Sequence, residues 1–357
     1  MPSGVKALQS MGLQHVLEET PTYAPKDFAF YLNKREIFQL DVKSAWFDGA
    51  PPIAISQPSF LESIIGLASK TGRVDFLRGV SVQSLTHDRH RVAGIVYKDE
   101  SGEHKMSADL VIGCDGRYSQ IRRLLELPKT VISTPMDIVW CKIPCPKKFK
   151  GARGYAGRGH LLIAYKTWDG NLQLGWVIIK GTFGTLKDQG VEAWLHKMQQ
   201  HVSKDLADHL AANTSNLSKP FLLVSHSDRA DHWSKPGAIV IGDAAHTISP
   251  VGGQGINIAL RDSIVAANHL VPLLNGNINH RKLDAALTLI EKERLPELAL
   301  IQKLQAQPPK LVLNSSWWSE PIRKFVGLAL SQEGFRARAT GPLRSMLFGT
   351  TEVDLKI

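Results

Sequence analysis

Residues 240–260 read VIGDAAHTISPVGGQGINIAL and combine features that few loops share. An apolar run ends in Gly242 and Asp243, a proline follows at position 250, and three of the residues 252–255 are glycines. Glycine leaves the main chain uncovered and adopts positive φ without strain. The stretch therefore predicts a strand, an acidic turn and a bare loop before a helix, against which a large, flat ligand can lie.

The composition is that of an ordinary globular protein. The chain has 357 residues, of which 43% are hydrophobic and 21% charged. We expect one large or two ordinary domains, no transmembrane segment and no signal peptide. Cys114, Cys141 and Cys145 cannot all pair and have too few potential co-ligands for a metal. This pattern is typical of a reducing, cytoplasmic compartment and predicts no metal site.

The charge balance is basic, with 43 Lys and Arg residues against 33 Asp and Glu residues, a net charge of +10. No run of five basic residues and no nucleic-acid-binding motif occurs. We therefore expect no nucleic-acid partner. A positive field attracts phosphate-bearing cofactors, although a solvated basic surface explains part of the excess. Composition leaves the oligomeric state open.

Local patterns divide the chain into α/β segments at both ends and a strand-rich stretch at about residues 131–225. This order predicts an α/β fold in which a mainly antiparallel sheet domain is inserted into a discontinuous domain. The clearest hairpin has Asp169-Gly170 as its turn. The predicted elements are helices over 1–13 and 58–72, with Ser59 and Glu62 as a capping box, strands over 74–116, and helix from 281 onward, interrupted at Pro296.

Two short apolar runs end in aspartate next to glycine, DLVIGCDG at 109–116 and AIVIGDAA at 238–245. Ligands of parallel α/β sheets bind at the carboxyl ends of the strands, where carboxylate oxygens suit sugar hydroxyls. The alternative is that Asp115 and Asp243 cap the helices that follow them.

The tails of these two motifs resemble the FAD-dependent aromatic hydroxylases, the p-hydroxybenzoate hydroxylase-like flavin monooxygenases. CDGRYSQIRRLL at 114–125 resembles their Asp-Gly fingerprint, and GDAAHTISPVGGQGINIALRD at 242–262 resembles their Gly-Asp motif. ISQPSFLESIIGLA at 55–68 resembles a segment with a flavin-contacting glutamine. The positions that the resemblance assigns to the cofactor are Gln57, Asp115, Gly116, Arg122, Gly242, Asp243, Pro250, Gly252, Gly253, Gln254, Gly255 and Asn257.

The resemblance implies a role for several of these residues. Asp243 would bind the ribityl chain, and the loop from Pro250 to Gly255 would pass beside the isoalloxazine ring, with the helix dipole stabilising reduced flavin. Arg122 would pair with a cofactor phosphate or with a core carboxylate. His246 occupies a position that is more often structural than catalytic in this family.

The family's first motif, a strand followed by G-x-G-x-x-G and a helix, does not occur. GARGYAGRGH at 151–160 has the wrong spacing and is interpreted as a loop of the inserted domain. We expect that the N-terminal unit for the AMP half of FAD is absent from this sequence. Either the gene product is longer, or the short form binds FAD poorly.

By resemblance, residues 1–130 and 226–305 form a discontinuous, N-terminally incomplete FAD-binding domain of the Rossmann-like, glutathione reductase type. Residues 131–225 form the substrate-binding sheet domain. Residues 306–357 are C-terminal helices, and residues 314–339 combine tryptophans with basic residues. That segment predicts weak association with a membrane surface or, alternatively, a packed terminal helix.

The resemblance implies a monooxygenase in which NADPH or NADH reduces FAD, and a flavin C4a-hydroperoxide then transfers oxygen to an aromatic or other electron-rich small molecule. O₂ is the co-substrate. Tyr165, Gln173 and Trp176 of the hairpin are candidate substrate contacts, although plain core packing explains the aromatic pair equally well. No catalytic base is assigned. A reductase of the same superfamily and an inactive flavoprotein-like relic remain alternatives.

Overall fold

A computed structural model describes residues 1–43, 47, 52–132, 134–314, 316, 321–322, 324–325, 328–329 and 341–357. Its largest feature is a seven-stranded, mostly antiparallel sheet. The strands in spatial order are β14 (Phe221–Leu223), β10 (Met136–Pro144), β13 (Asn171–Ile179), β12 (His160–Lys166), β11 (Ala152–Gly157), β2 (Asp27–Leu32) and β3 (Arg35–Asp41).

Two strands of this sheet come from the N-terminal part of the chain. The sequence interpretation grouped residues 27–41 with the first unit, but β2 pairs parallel to β11 and β3 pairs antiparallel to β2. The segment 151–160, interpreted as a loop, contains β11. The glycines that suggested a loop leave room for rings on adjacent strands, because a Cβ at Gly154 would lie 3.0 Å from Phe30.

Smaller sheets surround the motifs that the sequence singled out. A three-stranded sheet contains a parallel pair, β8 (Val111–Gly113) beside β17 (Ala238–Val240), and an antiparallel meander lies nearby. No strand forms over residues 74–80, where the sequence predicted one. The other strands are β1 (Thr22–Tyr23), β4 (Ala54–Ile55), β5 (Ser81–Asp88), β6 (Arg91–Asp99), β7 (Gly102–Ser107), β9 (Lys129–Val131), β15 (Asp228–Ala230) and β16 (Ser234–Lys235).

The helices fall into two sets, and the first includes those that share a core with the parallel pair. The first set is α1 (Pro2–Ser10), α2 (His15–Glu19), α3 (Gln57–Lys70), α4 (Gln120–Leu124), α8 (Gly255–Leu274), α9 (His280–Gln305), α10 (Gln307–Val312) and α11 (Gly341–Phe348). The second set, which covers the sheet, is α5 (Phe183–Asp188), α6 (Val191–Gln199) and α7 (Lys204–Ala212). Within the described residues, no helix is both long enough and apolar enough to cross a bilayer.

Two predicted helix features are wrong. Helix α9 continues through Pro296, because Ile290 and Leu298, on either side of the proline, are buried in one core. That burial offsets the roughly 3 kcal/mol that an internal proline costs. The predicted capping box of α3 does not form either. Its N-cap is Ser56, and Glu62 pairs with Arg78 at 2.7 Å in solvent.

Candidate cofactor and substrate site

The two acidic strand ends lie side by side. Gly113 of β8 and Val240 of β17 are register partners in the parallel pair, so Asp115 and Asp243 follow the same edge of the sheet. A 3₁₀ turn, Gly242–Ala244, carries Asp243. This is the strand-end position at which ligands of α/β sheets bind.

Asp243 has a carboxylate that makes no hydrogen bond to any residue the structure describes. The residue is half-buried, and burial raises the pKa of its carboxyl group above the ordinary value. A partly desolvated carboxylate without a partner is costly in an isolated protein. Its free acceptor oxygens therefore fit a ligand that carries hydroxyl donors.

The loop before α8 presents bare backbone. Gly252 and Gly253 have φ values of +79° and +60°, which side-chain-bearing residues rarely adopt. Apart from its chain neighbours and the backbone of its own helix, no atom of the described residues lies within 4 Å of the position that a Cβ of Gly255 would occupy. The first turn of α8 has no side-chain cap, so its N–H groups and the positive end of its dipole are available to an electron-rich ligand edge.

Two polar side chains of the motif are occupied by α1. The Ser3 hydroxyl donates a hydrogen bond to Gln254 Oε1 at 3.2 Å. Asn257 Oδ1 accepts a hydrogen bond from the amino group of Met1 at 3.1 Å, and Asn257 Nδ2 donates one to the Gly253 carbonyl at 2.8 Å. These contacts fix the loop between α1 and α8. The described hydrogen bonds of the Gln254 and Asn257 side chains are therefore all within the protein.

Asp115 performs the alternative role that the sequence left open. Its Oδ1 accepts from the Ser119 hydroxyl at 2.5 Å, and its Oδ2 accepts from the N–H groups of Gln120 and Ile121 at 2.6 and 3.0 Å. The carboxylate thus caps α4. Gly116 turns the chain with a φ of +78°.

Arg122 is buried and pairs with no carboxylate among the described residues. Its guanidinium donates to the carbonyl oxygens of Ala244 at 2.7 Å and Arg117 at 3.1 Å. The side chain therefore ties the Asp-Gly turn to the Gly-Asp turn. A cleft of about 340 Å³ adjoins it, lined in part by Arg117, Arg123 and Lys129.

Gln57 is exposed at the first position of α3. One turn further on, Phe60 is buried in a small cluster that Leu260 of α8 borders. Gln57 therefore lies on the helix that packs beside α8, and its side chain makes no hydrogen bond among the described residues.

A buried ionic cluster behind the acidic turn was not predicted. Asp262 accepts from His246 Nε2 at 2.7 Å, from the Gly242 N–H at 3.1 Å and from Arg294 Nε at 2.7 Å. Arg294 also pairs with Glu297, which binds Arg261 at 2.8 Å. The sequence signal was an aspartate seven residues into α8, spaced to face the strand end, and two charged residues, Arg294 and Glu297, within the mainly apolar stripe of α9.

The candidate substrate residues divide between the two faces of the large sheet. Tyr165 and Gln173 are register partners on one face. Trp176, three residues after Gln173, lies on the other face and stacks on Trp194 of α6. Because strand side chains alternate between faces, Trp176 belongs to the helix-covered core and does not join the other two. Burial raises the pKa of Tyr165 to about 12, so its phenol is neutral.

The residues around Asp243 fit FAD in their chemistry. An unpartnered carboxylate suits the polyol chain, and the glycine loop together with the uncapped helix start suits a flat, electron-rich ring. Among the described residues that form this site, only the carboxylates carry a charge that would repel such a ligand.

Comparisons with known proteins agree with this geometry. The FAD binding domain family matches residues 2–296. The 6-methylpretetramide 4-monooxygenase of Streptomyces rimosus is 27% identical over 282 residues, which are 78% of this chain and 66% of that enzyme. Squalene epoxidase 1 of Arabidopsis thaliana is 24% identical over 292 residues, 76% of this chain and 51% of that enzyme. The chain thus spans half to two thirds of these two relatives.

Solved structures show the same fold. Superposition on p-nitrophenol 4-monooxygenase PnpA of Pseudomonas putida DLL-E4 gives a TM-score of 0.80 at 16% identity, covering 99% of this chain and 88% of PnpA. Klebsiella pneumoniae HpxO, solved with FAD and uric acid, gives 0.75 at 15% identity, covering 97% and 86%. With the family match over most of its length, the chain belongs to the FAD binding domain family, with a Rossmann-like α/β fold and an added antiparallel sheet.

Proposed function

We propose that this protein is an FAD-dependent monooxygenase that uses NADPH or NADH and O₂ to hydroxylate an aromatic or other electron-rich small molecule. The unpartnered carboxylate of Asp243 beside the uncapped start of α8 is the observation that carries the proposal. The two curated relatives are named as oxygen-inserting enzymes, a monooxygenase and an epoxidase, which supports this reaction class.

In this proposal the chain binds and orients the cofactor. Asp243 would hold the hydroxyl groups of the ribityl chain. The N–H groups at the start of α8 and the positive end of its dipole would face the electron-rich edge of the ring. Bound FAD would supply the redox chemistry with NAD(P)H and O₂.

In this proposal the large sheet would help to shield the bound ring from water. The loop residue Val251 packs against the cluster of Ile138 and Val177 on the large sheet. Tyr165 and its register partner Gln173 lie on the same face of the sheet, and Gln173 is four residues from Val177 along β13. A site without water prevents the hydrolysis of reactive intermediates. We propose cytoplasmic location, which the three free cysteines support. The predicted membrane-surface segment, 314–339, lies largely outside the described residues.

Titration of the purified protein with FAD tests the proposal, followed by NAD(P)H oxidation with and without O₂ and candidate substrates. We expect saturable flavin binding and substrate-stimulated consumption of NAD(P)H and O₂ in equal amounts. NAD(P)H oxidation without O₂ uptake would instead indicate a reductase. Asp243→Asn should weaken flavin binding, whereas Asp208→Ala, a substitution in an exposed surface pair, should not. Absence of flavin binding by the wild-type protein would refute the proposed function.

A further inference from the structure

One face of the large sheet carries a continuous row of apolar residues across six strands. Successive register partners join Phe221 to Trp140, Trp140 to Gly175, Gly175 to Ile163, Ile163 to Gly154 and Gly154 to Phe30. We call these six residues the aromatic row. On the next strand, the ring of Phe38 stacks on that of Phe30 at 5.9 Å.

The two glycines of the aromatic row make it low and flat. A Cβ atom at Gly175 would lie 2.6 Å from the Trp140 ring, and one at Gly154 would lie 3.0 Å from the Phe30 ring. Each ring therefore lies over the glycine beside it, with Ile163 between the two. From Phe30 to Trp140 the row crosses four strand spacings, about 19 Å, which is several times the width of one six-membered ring.

The aromatic row lies beside the part of the sheet that contacts the proposed cofactor loop. Two residues along the strands, about 7 Å away, the next row contains Ile138 and Val177, which cluster with Val251 of the cofactor loop. A flat ligand on the aromatic row would thus extend toward that loop. Helices α5–α7 cover the opposite face of the sheet and leave this one to other contacts.

The polar groups next to the aromatic row disfavour a charged ligand. Lys142 pairs with Asp169 at 2.7 Å, and Gln173 donates to the Cys141 carbonyl at 3.1 Å. Tyr165, edge-on to Trp140 at 6.2 Å, makes no hydrogen bond to any described residue through its hydroxyl group. The face therefore offers one free hydroxyl for a ligand oxygen and, among the described residues of these strands, no unpaired cation for a carboxylate.

We propose that the aromatic row binds an uncharged, flat, multi-ring aromatic molecule with a ring oxygen that meets Tyr165. That this ligand is the substrate rests on the proposed monooxygenase function; that it binds there does not. A single-ring carboxylate would bury too little surface and leave its charge uncompensated on this face.

Calorimetric titration of flavin-free protein with three probes tests ring number and charge separately. We expect 1-hydroxypyrene to bind at least tenfold more tightly than phenol, which has one ring, and than pyrene-1-carboxylate, which is charged. Equal affinities, or tighter binding of the carboxylate, would overturn the proposal.

Substitutions in the aromatic row test whether 1-hydroxypyrene binds there. Ile163→Glu at the centre of the row and Phe221→Glu at its edge should weaken 1-hydroxypyrene binding at least tenfold and about threefold, respectively. Phe221 is 57% exposed, so its variant remains folded even where Ile163→Glu does not. Val131→Glu is the matched control, since Val131 is 72% exposed on β9 of another sheet. An equal loss in the control would mean nonspecific adsorption and refute the site.

The two proposals fail separately. If FAD binds and NAD(P)H oxidation requires O₂ but no multi-ring probe binds, the assignment of the aromatic row is wrong and the monooxygenase stands. If 1-hydroxypyrene binds as expected but FAD does not, the row is confirmed as a ligand site and the proposed function falls.

Discussion

The Nε2 atom of His246 lies 2.7 Å from Oδ2 of Asp262, and the same oxygen accepts the N–H of Gly242 at 3.1 Å. One buried carboxylate therefore holds both ends of the turn that carries Asp243. Its other oxygen is held by Arg294 at 2.7 Å. The position of the proposed cofactor-binding carboxylate thus depends on an ion pair between α8 and α9.

Asp262→Asn should destabilise the protein by about 3–5 kcal/mol, because it removes one of the two carboxylates that pair with the buried guanidinium of Arg294 and the carboxylate that accepts from His246. The side chains of Asp262 and Arg294 are only 1% exposed. Urea unfolding at neutral pH measures the effect. Asp208→Asn, which breaks an exposed pair with Lys204, should cost under about 1 kcal/mol. Similar losses in the two variants would show that the buried cluster contributes no more than a surface pair.

Lowering the pH should remove the contribution of this ionic cluster to the free energy of unfolding. Burial opposes ionisation of Asp262 and Glu297, but their contacts with His246, Arg294 and Arg261 outweigh it, so the pKa of each carboxyl lies below its ordinary value. A lowered folded-state pKa stabilises the protein above the unfolded-state pKa, about 4, and the gain disappears as pH falls through the folded-state value. The stability difference between wild type and Asp262→Asn should therefore persist from pH 8 to 5 and shrink below about 4. A difference independent of pH down to 2 would contradict this assignment.

Asp243 should behave in the opposite way. Burial raises the pKa of its carboxyl, so the charged form is unfavourable in the flavin-free protein, and its cost appears as pH rises past the unfolded-state pKa. Asp243→Asn should stabilise the flavin-free protein at pH 7 by up to about 1 kcal/mol. The same change should weaken FAD binding at least tenfold, the loss of a charge-assisted hydrogen bond. Thermal unfolding and fluorescence titration measure the two effects, and a variant that loses both stability and affinity would assign Asp243 a structural role.

Local sequence patterns were sufficient to predict the motif but not the pairing of strands that lie far apart in the sequence. The acidic turn, the glycine loop and α8 follow from residues 240–274, because strand end, positive φ and helix start are local properties. The pairing of β2 with β11 joins residues more than 100 positions apart, and no local signal indicates it. Pro296 shows the same limit, since burial on both sides of it decides that α9 continues.

Alternation also explains which site residues could be predicted. The register of β12 and β13 places Tyr165 opposite Gln173, and the period of two alone excludes Trp176 from their face. That inference was available from the sequence once the hairpin was assigned. The clamp of Asp262 by His246 and Arg294 was not, because it requires α8, α9 and the strand end to converge.

Two glycines of the cofactor loop should respond differently to alanine. Gly252→Ala should destabilise the protein by roughly 1–2 kcal/mol, since a Cβ at a φ of +79° is strained and would lie 2.7 Å from Met346. The methyl group of Gly255→Ala meets no atom of the described residues within 4 Å beyond its chain neighbours and its own helix, so this variant should keep or slightly raise stability. The methyl group would enter the proposed cofactor space and should weaken FAD binding. Unfolding and flavin titration of both variants give the comparison. Unchanged flavin affinity in Gly255→Ala would move the ring away from this loop.

Substitutions on opposite faces of the hairpin should separate ligand binding from core packing. Trp176→Phe removes part of a ring that stacks on Trp194 and should cost about 1–3 kcal/mol in unfolding, with little effect on ligands. Tyr165→Phe removes a hydroxyl group that makes no hydrogen bond to any described residue and should change stability by less than about 0.5 kcal/mol. It should nevertheless weaken binding of 1-hydroxypyrene several-fold while leaving pyrene, which has no oxygen, unaffected. Because the two rings lie on opposite faces, the stability effect and the binding effect should fall on different variants. Loss of affinity in Trp176→Phe, with none in Tyr165→Phe, would place the ligand on the helix-covered side of the sheet.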